Sequence, residues 1–276
     1  MVNKKIIEQN LDTWSKSPFD KETISRVLKL KDTNNEDFND SFYNDLSFGT
    51  GGMRGVVGVG PNRVNKYTFG RNTQGISNYI NKHSSNGSKS VVIAYDCRND
   101  SEYLAKQVAD TFSANNIKVY LFNSIRPTPE LSYAVVKLNC ICGIVLTASH
   151  NPPEYNGYKV YWKDGGQIVP PIDTNLINEI NKTDYSEINF KRNESLVEII
   201  GEEIDNQFIK DSILNGKVGD SKREDYKIVF TPLHGTSYKI LPKVLKGAGY
   251  KDLHVVKEQA IPDGNFPTVK SPNPEE

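Results

Sequence analysis

Apolar and polar positions along the chain change period several times, and the changes mark its elements. Within residues 1–45 the apolar positions fall at helical spacing: Ile24, Val27 and Leu28 share one face of a helix expected over Lys21–Lys31, with Asp20 as its N-cap. Phe38, Phe42, Tyr43 and Leu46 keep that spacing through 35–46, and a glycine-rich segment, Phe48-Gly49-Thr50-Gly51-Gly52-Met53-Arg54-Gly55, follows. Beyond it the pattern predicts a helix over Tyr67–Tyr79, a strand over Ser90–Tyr95 ending at Asp96, a helix over Ser101–Ala114 and a strand over Ile117–Phe122. Arg126-Pro127-Thr128-Pro129 reads as a rigid loop, because each proline fixes its own φ and restrains its predecessor. Pro129 then suits the first turn of a helix reaching Leu138, and Cys140–Leu146 is a further strand. Alternating strands and helices imply an α/β layer on a mostly parallel sheet.

The pattern restarts near residue 200. Glu202–Leu214 reads as helix, Gly216–Asp225 as a polar surface connection, Tyr226–Phe230 as strand, Thr231–Gly235 as loop, Tyr238–Lys246 as helix and Leu253–Val256 as strand. The expected division is therefore 1–200, a complete α/β unit with an N-terminal helical extension, and 201–276, a second unit with too few elements to close a doubly wound sheet. The stretch 266–276 reads as loop, so the chain is expected to be a piece of a longer protein.

Composition narrows the function classes. The chain has 276 residues, 37% hydrophobic and 25% charged, enough for a sizeable core. Its 34 basic and 34 acidic residues give no excess field for nucleic acid or an anionic membrane. No apolar run approaches the roughly 18 residues that span a bilayer, and the N-terminal lysines Lys4 and Lys5 precede no apolar core of the signal-peptide kind. Cys97, Cys140 and Cys142 form no CxxC pair and suit reduced thiols in a cytoplasmic protein, Cys142 as a small core residue.

Candidate chemistry concentrates at Thr147-Ala148-Ser149-His150-Asn151-Pro152, where an apolar strand ends in a polar loop, the position at which α/β sites form. Ser149, His150 and Lys159 lie within eleven residues. A hydrolase triad is one reading, but adjacent side chains at a strand end usually diverge and there is no GxSxG elbow. A serine that carries a phosphoryl group is another; it needs donors and positive charge, which Arg54, Arg98, Lys159 and His150 could supply. The glycine segment reads in its simplest form as a flexible turn with φ > 0, and it is neither GxGxxG nor GxxxxGK[ST]. Asp96 and Arg98 could pair with each other. His83 reads as solvated, His234 and His254 as structural, and no His/Cys/Asp set has complete metal spacing.

Taken together, these segments carry a resemblance that none carries alone. TASHNPPEYNGYKVYW (147–162) resembles the phosphoserine loop of the α-D-phosphohexomutase family, the phosphoglucomutases and phosphomannomutases. FGTGGMRG (48–55), VVIAYDCRNDS (91–101), RPTP (126–129), VFTPLHGTSY (229–238) and FPTVKSPNPEE (266–276) resemble further segments of that family, in the family's order. The N-terminal helices with Trp14 resemble its larger phosphoglucomutase/phosphopentomutase branch. The resemblance implies that a phosphorylated Ser149 exchanges its phosphoryl group with a sugar 1-phosphate or 6-phosphate, glucose first, through a bisphosphate that also serves as activator. It implies Lys159 in proton transfer, His150 beside the serine, Arg54 on a phosphate, Thr147 and Asn151 binding or supporting phosphate, and Asp96 and Arg98 behind the loop. It also implies one Mg²⁺ touching the Ser149 phosphate. The family's aspartate-rich metal loop is not in this sequence, nor are its later sugar and phosphate loops, so this chain alone is not expected to run the mutase cycle at a normal rate. Glucose, mannose and pentose phosphates remain open as substrates, and a non-catalytic sugar-phosphate-binding protein is the competing class.

Overall fold

The structure is a computed structural model describing residues 4–33, 35–84, 89–216, 222–273 and 275. The expectations for 217–221 in the polar connection, and for 1–3, 274 and 276 at the two ends, lie outside the described residues. In chain order the elements are α1 Lys4–Trp14, α2 Lys21–Thr33, α3 Asn35–Phe42, β1 Gly52–Val56, α4 Lys66–His83, β2 Ser90–Tyr95, α5 Ser101–Ala114, β3 Lys118–Phe122, α6 Thr128–Lys137, β4 Cys142–Leu146, β5 Tyr155–Trp162 and α7 Ile172–Lys182. After these come β6 Val197–Ile200, α8 Glu202–Asn215, β7 Lys227–Phe230, α9 Leu241–Gly247 and β8 Asp252–Val255.

The first sheet has the order β1-β5-β4-β2-β3-β6. β4, β2, β3 and β6 run parallel, while β5 is antiparallel to both β4 and β1. Its central strands are buried on both faces, which is why they read as unbroken apolar runs. Val91, Ile93, Cys142, Ile144, Leu146, Tyr158 and Val160 face α4, α5 and α7; Val92, Ala94 and Val145 face α6. That alternation makes a three-layer α/β/α unit. β7 and β8 form a separate parallel pair.

Several expectations are corrected. The glycine segment is a turn only over residues 49–52; from Gly52 it is the edge strand β1. Residues 155–162, to which the pattern assigned no element, are β5, a strand at the heart of the site. The helix expected over 35–46 stops at Phe42. The helix expected from Tyr238 begins as a 3-10 turn at Thr236–Lys239, and Pro242 then opens the α-helix α9. The Asp20 cap is present, its Oδ1 accepting the Thr23 amide at 2.7 Å. Trp14 packs with Phe19, Phe42, Tyr67 and Tyr185 in a second, aromatic core that fixes the N-terminal helices to α4.

Candidate functional site

The C-terminal ends of β2 and β4 and the middle of β5 and β1 meet in one place, and the sequence-predicted residues gather there. Leu146 is the last residue of β4, and the Thr147 amide still bonds Gly157 O at 3.1 Å before the chain leaves the sheet. Gly157 has no room for a side chain: a Cβ would stand 2.6 Å from Thr147 O and 2.8 Å from Met53 O. Close packing there brings β1, β5 and the start of the loop into contact. The Thr147 hydroxyl then accepts the Ser149 amide at 2.9 Å, and the Asn151 amide closes a turn onto Ala148 O at 3.1 Å. Ser149 adopts φ 58, a left-handed conformation a non-glycine residue rarely takes, and its side chain is exposed.

The Ser149 hydroxyl lies 3.4 Å from His150 Nδ1, so the two side chains do not diverge as expected. The contact is longer than an ordinary hydrogen bond of about 2.7–3.2 Å. Among the described residues no carboxylate bonds His150, so the orienting third group of a hydrolase triad is not found there.

Arg98 is the structural centre of the loop. Its side chain is buried, and its Nη1 donates to Pro152 O at 2.7 Å and Tyr155 O at 2.8 Å. Its Nη2 donates to Asn151 O at 2.6 Å and Ser149 O at 3.3 Å. The planar fork of a guanidinium suits this: one side chain gathers carbonyls from both ends of the turn. Asp96 pairs with Arg98 Nε at 3.3 Å and accepts from the Arg98 amide and the Ser101 hydroxyl at 3.0 and 2.7 Å. Burial lowers the Arg98 pKa and Asp96 opposes that shift. The pairing foreseen between Asp96 and Arg98 is therefore present, but Arg98 spends most of its donors on the loop.

Arg54 and Lys159 approach from the other side. Arg54 lies opposite Gly157 in the β1–β5 register, and its Nη1 donates to Asn151 Oδ1 at 2.8 Å. Lys159 lies two residues further along β5, on the same face by the strand's period of two. Burial, and then the neighbouring Arg54 charge, lower its pKa, while Asp96 acts the other way. Arg54, on the loop's Asn151, and Lys159, on the same strand face as Gly157, bring positive charge to the side of the loop that carries the serine, an arrangement fit to receive a dianionic phosphoryl group. Sequence reasoning missed Asn156. It is fully buried, donates to Ser101 Oγ at 3.0 Å, accepts the Gly157 amide at 2.8 Å, and so ties β5 to the Asp96–Ser101 support. The only signal for it was an asparagine inside what proves to be a buried strand.

Other expected residues sit elsewhere. His234 is buried, contacting Ile261 O and Thr268 Oγ1 at 2.9 Å each, and His83 stacks on Tyr79, while His254 pairs with Asp252. Cys97 stands beside the site, but burial pushes its thiol up to about 12, and the described cysteines form no disulfide. Among the described residues no group of three His, Cys, Asp or Glu side chains could hold a metal ion. The groups around Ser149 are mostly cationic or amide side chains, so these residues do not themselves fit Mg²⁺. No helix among the described residues is long and apolar enough to cross a membrane.

Comparison with known proteins identifies the family and the fold. The sequence profile of "Phosphoglucomutase/phosphomannomutase, alpha/beta/alpha domain I" matches residues 45–187, and that of domain II matches residues 206–276. A phosphoglucomutase of Staphylococcus haemolyticus is 38% identical over 96% of this chain and 48% of its own length. One of Staphylococcus aureus is 36% identical over 86% of this chain and 43% of its own. The chain thus spans about half the length of the curated relatives it matches. A solved phosphoglucomutase/phosphomannomutase family protein of Burkholderia thailandensis superposes with a TM-score of 0.63 at 22% identity, covering 82% of this chain and 46% of that one, and so shares the fold.

Proposed function

This chain belongs to the phosphoglucomutase/phosphomannomutase family, and from that premise we propose that it supplies the phosphoserine part of a phosphosugar mutase. The observation that carries the reading is Ser149 itself: an exposed hydroxyl at a fixed backbone position, with Arg54, Lys159 and the Arg98-braced loop around it. Residues 1–200 form its first unit and 201–276 belong to its second.

In the proposed reaction a phosphorylated Ser149 gives its phosphoryl group to the free hydroxyl of a sugar monophosphate. The bond from phosphorus to Ser149 Oγ breaks as the bond to the sugar oxygen forms. The hydroxyl proton passes to Lys159, whose depressed pKa suits a base, and a proton reaches the departing serine oxygen. The bisphosphate then returns its other phosphoryl group to Ser149 by the same steps in reverse. Because the transferring group is highly charged, most of the catalysis lies in positioning and charge neutralisation. Arg54 serves the phosphate, Asn151 and the Thr147-supported amides line its approach, and Asp96 and Arg98 hold the loop in shape. His150, in the reach of the serine hydroxyl, is placed to exchange a proton with it. The relatives' names favour glucose phosphates as substrate, and a sugar bisphosphate as activator comes from the family resemblance. Mg²⁺ enters this reading by family resemblance alone, and a cytoplasmic setting goes with it.

The test is phosphate capture. Incubation with glucose 1,6-bisphosphate should place one phosphate on Ser149, located by peptide mass spectrometry, and Ser149→Ala should take none. A fluorophosphonate adduct on Ser149, with no phosphate uptake, would turn the reading to a hydrolase.

A further inference from the structure

A turn of the second unit is pressed onto the support of the serine loop. Asp263 Oδ1 accepts the Asn265 amide at 2.8 Å, and the Phe266 amide returns to Asp263 O at 3.2 Å. Phe266 is buried at 5% exposure and held at φ 49, where a bulky side chain sits only when its surroundings dictate it. Four contacts join this turn to residues 97–99, the first of them from the Cys97 thiol, which donates to Asp263 O at 3.9 Å. Asn99 Nδ2 donates to Asn265 Oδ1 at 3.0 Å. At Gly264 the two backbones touch, so that a Cβ would stand 2.7 Å from Asn99 N and 2.8 Å from Cys97 O. The Phe266 ring centroid lies 5.5 Å from the guanidinium carbon of Arg98.

Arg98 is the side chain that gathers the carbonyls of Ser149, Asn151, Pro152 and Tyr155. Its Nε lies 3.3 Å from the Asp96 carboxylate without hydrogen-bond geometry. The tilt of the fork is therefore set less by that ion pair than by the carbonyls in front and the ring beside it. An aromatic ring within about 6 Å of a guanidinium attracts it, most strongly where water is excluded.

We propose that Phe266 is a positioning residue for the serine loop: through Arg98, docking of the 263–266 turn sets the backbone of residues 149–155 and hence the presentation of Ser149. The second unit thereby controls a loop of the first. Only the consequence for phosphoryl transfer rests on the function proposed above; the coupling itself is structural and is tested separately.

Hydrogen exchange read by mass spectrometry on the full chain tests the coupling. Phe266→Leu removes the ring but keeps an apolar side chain, and it should speed exchange of the 149–155 amides by ~3- to 10-fold, with amides of β2 and α5 unchanged. Phe266→Tyr keeps the ring and should match the wild type. Should Phe266→Leu fail to fold, the exposed Asn99→Ala carries the test, with the same local acceleration expected. Unchanged exchange at 149–155, or acceleration spread equally over β2 and α5, would overturn the proposal. The second readout is phosphate uptake by Ser149 from glucose 1,6-bisphosphate: its maximal rate should fall in Phe266→Leu with the half-saturating concentration unchanged, and Phe266→Tyr should restore it. A fall in apparent affinity alone would contradict positioning. If the wild type takes up no phosphate at all, the functional reading fails while the exchange pattern still decides the coupling.

Discussion

Ser149 is presented by backbone, and that distinction decides which substitutions matter. Its left-handed φ, the Thr147 hydroxyl on its amide and the Arg98 fork on its carbonyl fix where the hydroxyl points before any ligand arrives. Ser149→Ala removes only an exposed oxygen, so phosphate uptake should vanish while the melting temperature stays within a degree or two. Arg98 is different, because it is buried and serves four carbonyls and Asp96. Arg98→Met should cost about 3–5 kcal/mol of stability, since it strands a largely buried carboxylate and the loop carbonyls together, and a denaturant titration reads that loss. Lys159→Met should leave stability nearly unchanged and slow transfer by about 10²–10⁴-fold if the amine moves the proton, measured by single-turnover quench. An unchanged rate would remove Lys159 from the chemistry. The sequence made Ser149 and the Asp96/Arg98 pair visible as polar residues at strand ends, Arg54 as a cation in the glycine segment and Lys159 as one close after the serine. It could not show that Arg98 reaches residues some fifty positions away, because that depends on how β2 and β4 pair.

At the scale of elements, what was legible follows from burial. The doubly buried β2, β3 and β4 and the helix α5 stood out as apolar runs and a periodic face. β1 and β5 did not, because one carries glycines and the other carries tyrosines, a lysine and an asparagine in a strand that serves both core and site. A second cluster, on the RPTP loop and α8, was also invisible. Arg126 is 1% exposed and grips Asp205 through Nε and Nη2 at 2.6 and 3.0 Å. Glu130 is wholly buried beside them, 3.7 Å from Arg126 Nε and without a hydrogen-bond partner on either carboxyl oxygen, a setting that disfavours its charged form. Burial, with Asp205 beside it, pushes Glu130 up to about 8. Burial acts against Asp205 ionising, but the two hydrogen bonds from Arg126 outweigh it and hold its pKa below the usual value. The folded state therefore keeps a proton on Glu130 that the unfolded chain gives up above its ordinary pKa near 4.5. This stabilisation is complete below that pH and is lost as pH rises through about 8. The Asp205 contribution changes only at more acid pH, outside this window. Between pH 5 and 9 the wild type should lose roughly 1–3 kcal/mol that Glu130→Gln does not lose, as read by urea melts at each pH. Identical pH slopes for the two proteins would contradict a protonated Glu130.

At the scale of the molecule, α8 docks on α6 through that charged cluster, and the 263–266 turn docks on the loop after β2. Both contacts join the second unit to the side of the first sheet where the site lies. The family profiles fall on either side of these contacts, at 45–187 and 206–276. A division near residue 200 was expected because the helix-strand pattern restarts there. The contacts between α8 and α6 and between the 263–266 turn and residues 97–99 were not legible, since each rests on a few scattered residues that no periodic pattern marks. The central claim is that Ser149 carries the phosphoryl group, and one measurement meets it most directly: intact-protein and peptide mass spectrometry after incubation with glucose 1,6-bisphosphate. The account predicts a single added phosphate on the 147–162 segment, borne by Ser149 and discharged by glucose 6-phosphate. Phosphate on another residue, or uptake that persists in Ser149→Ala, would contradict it.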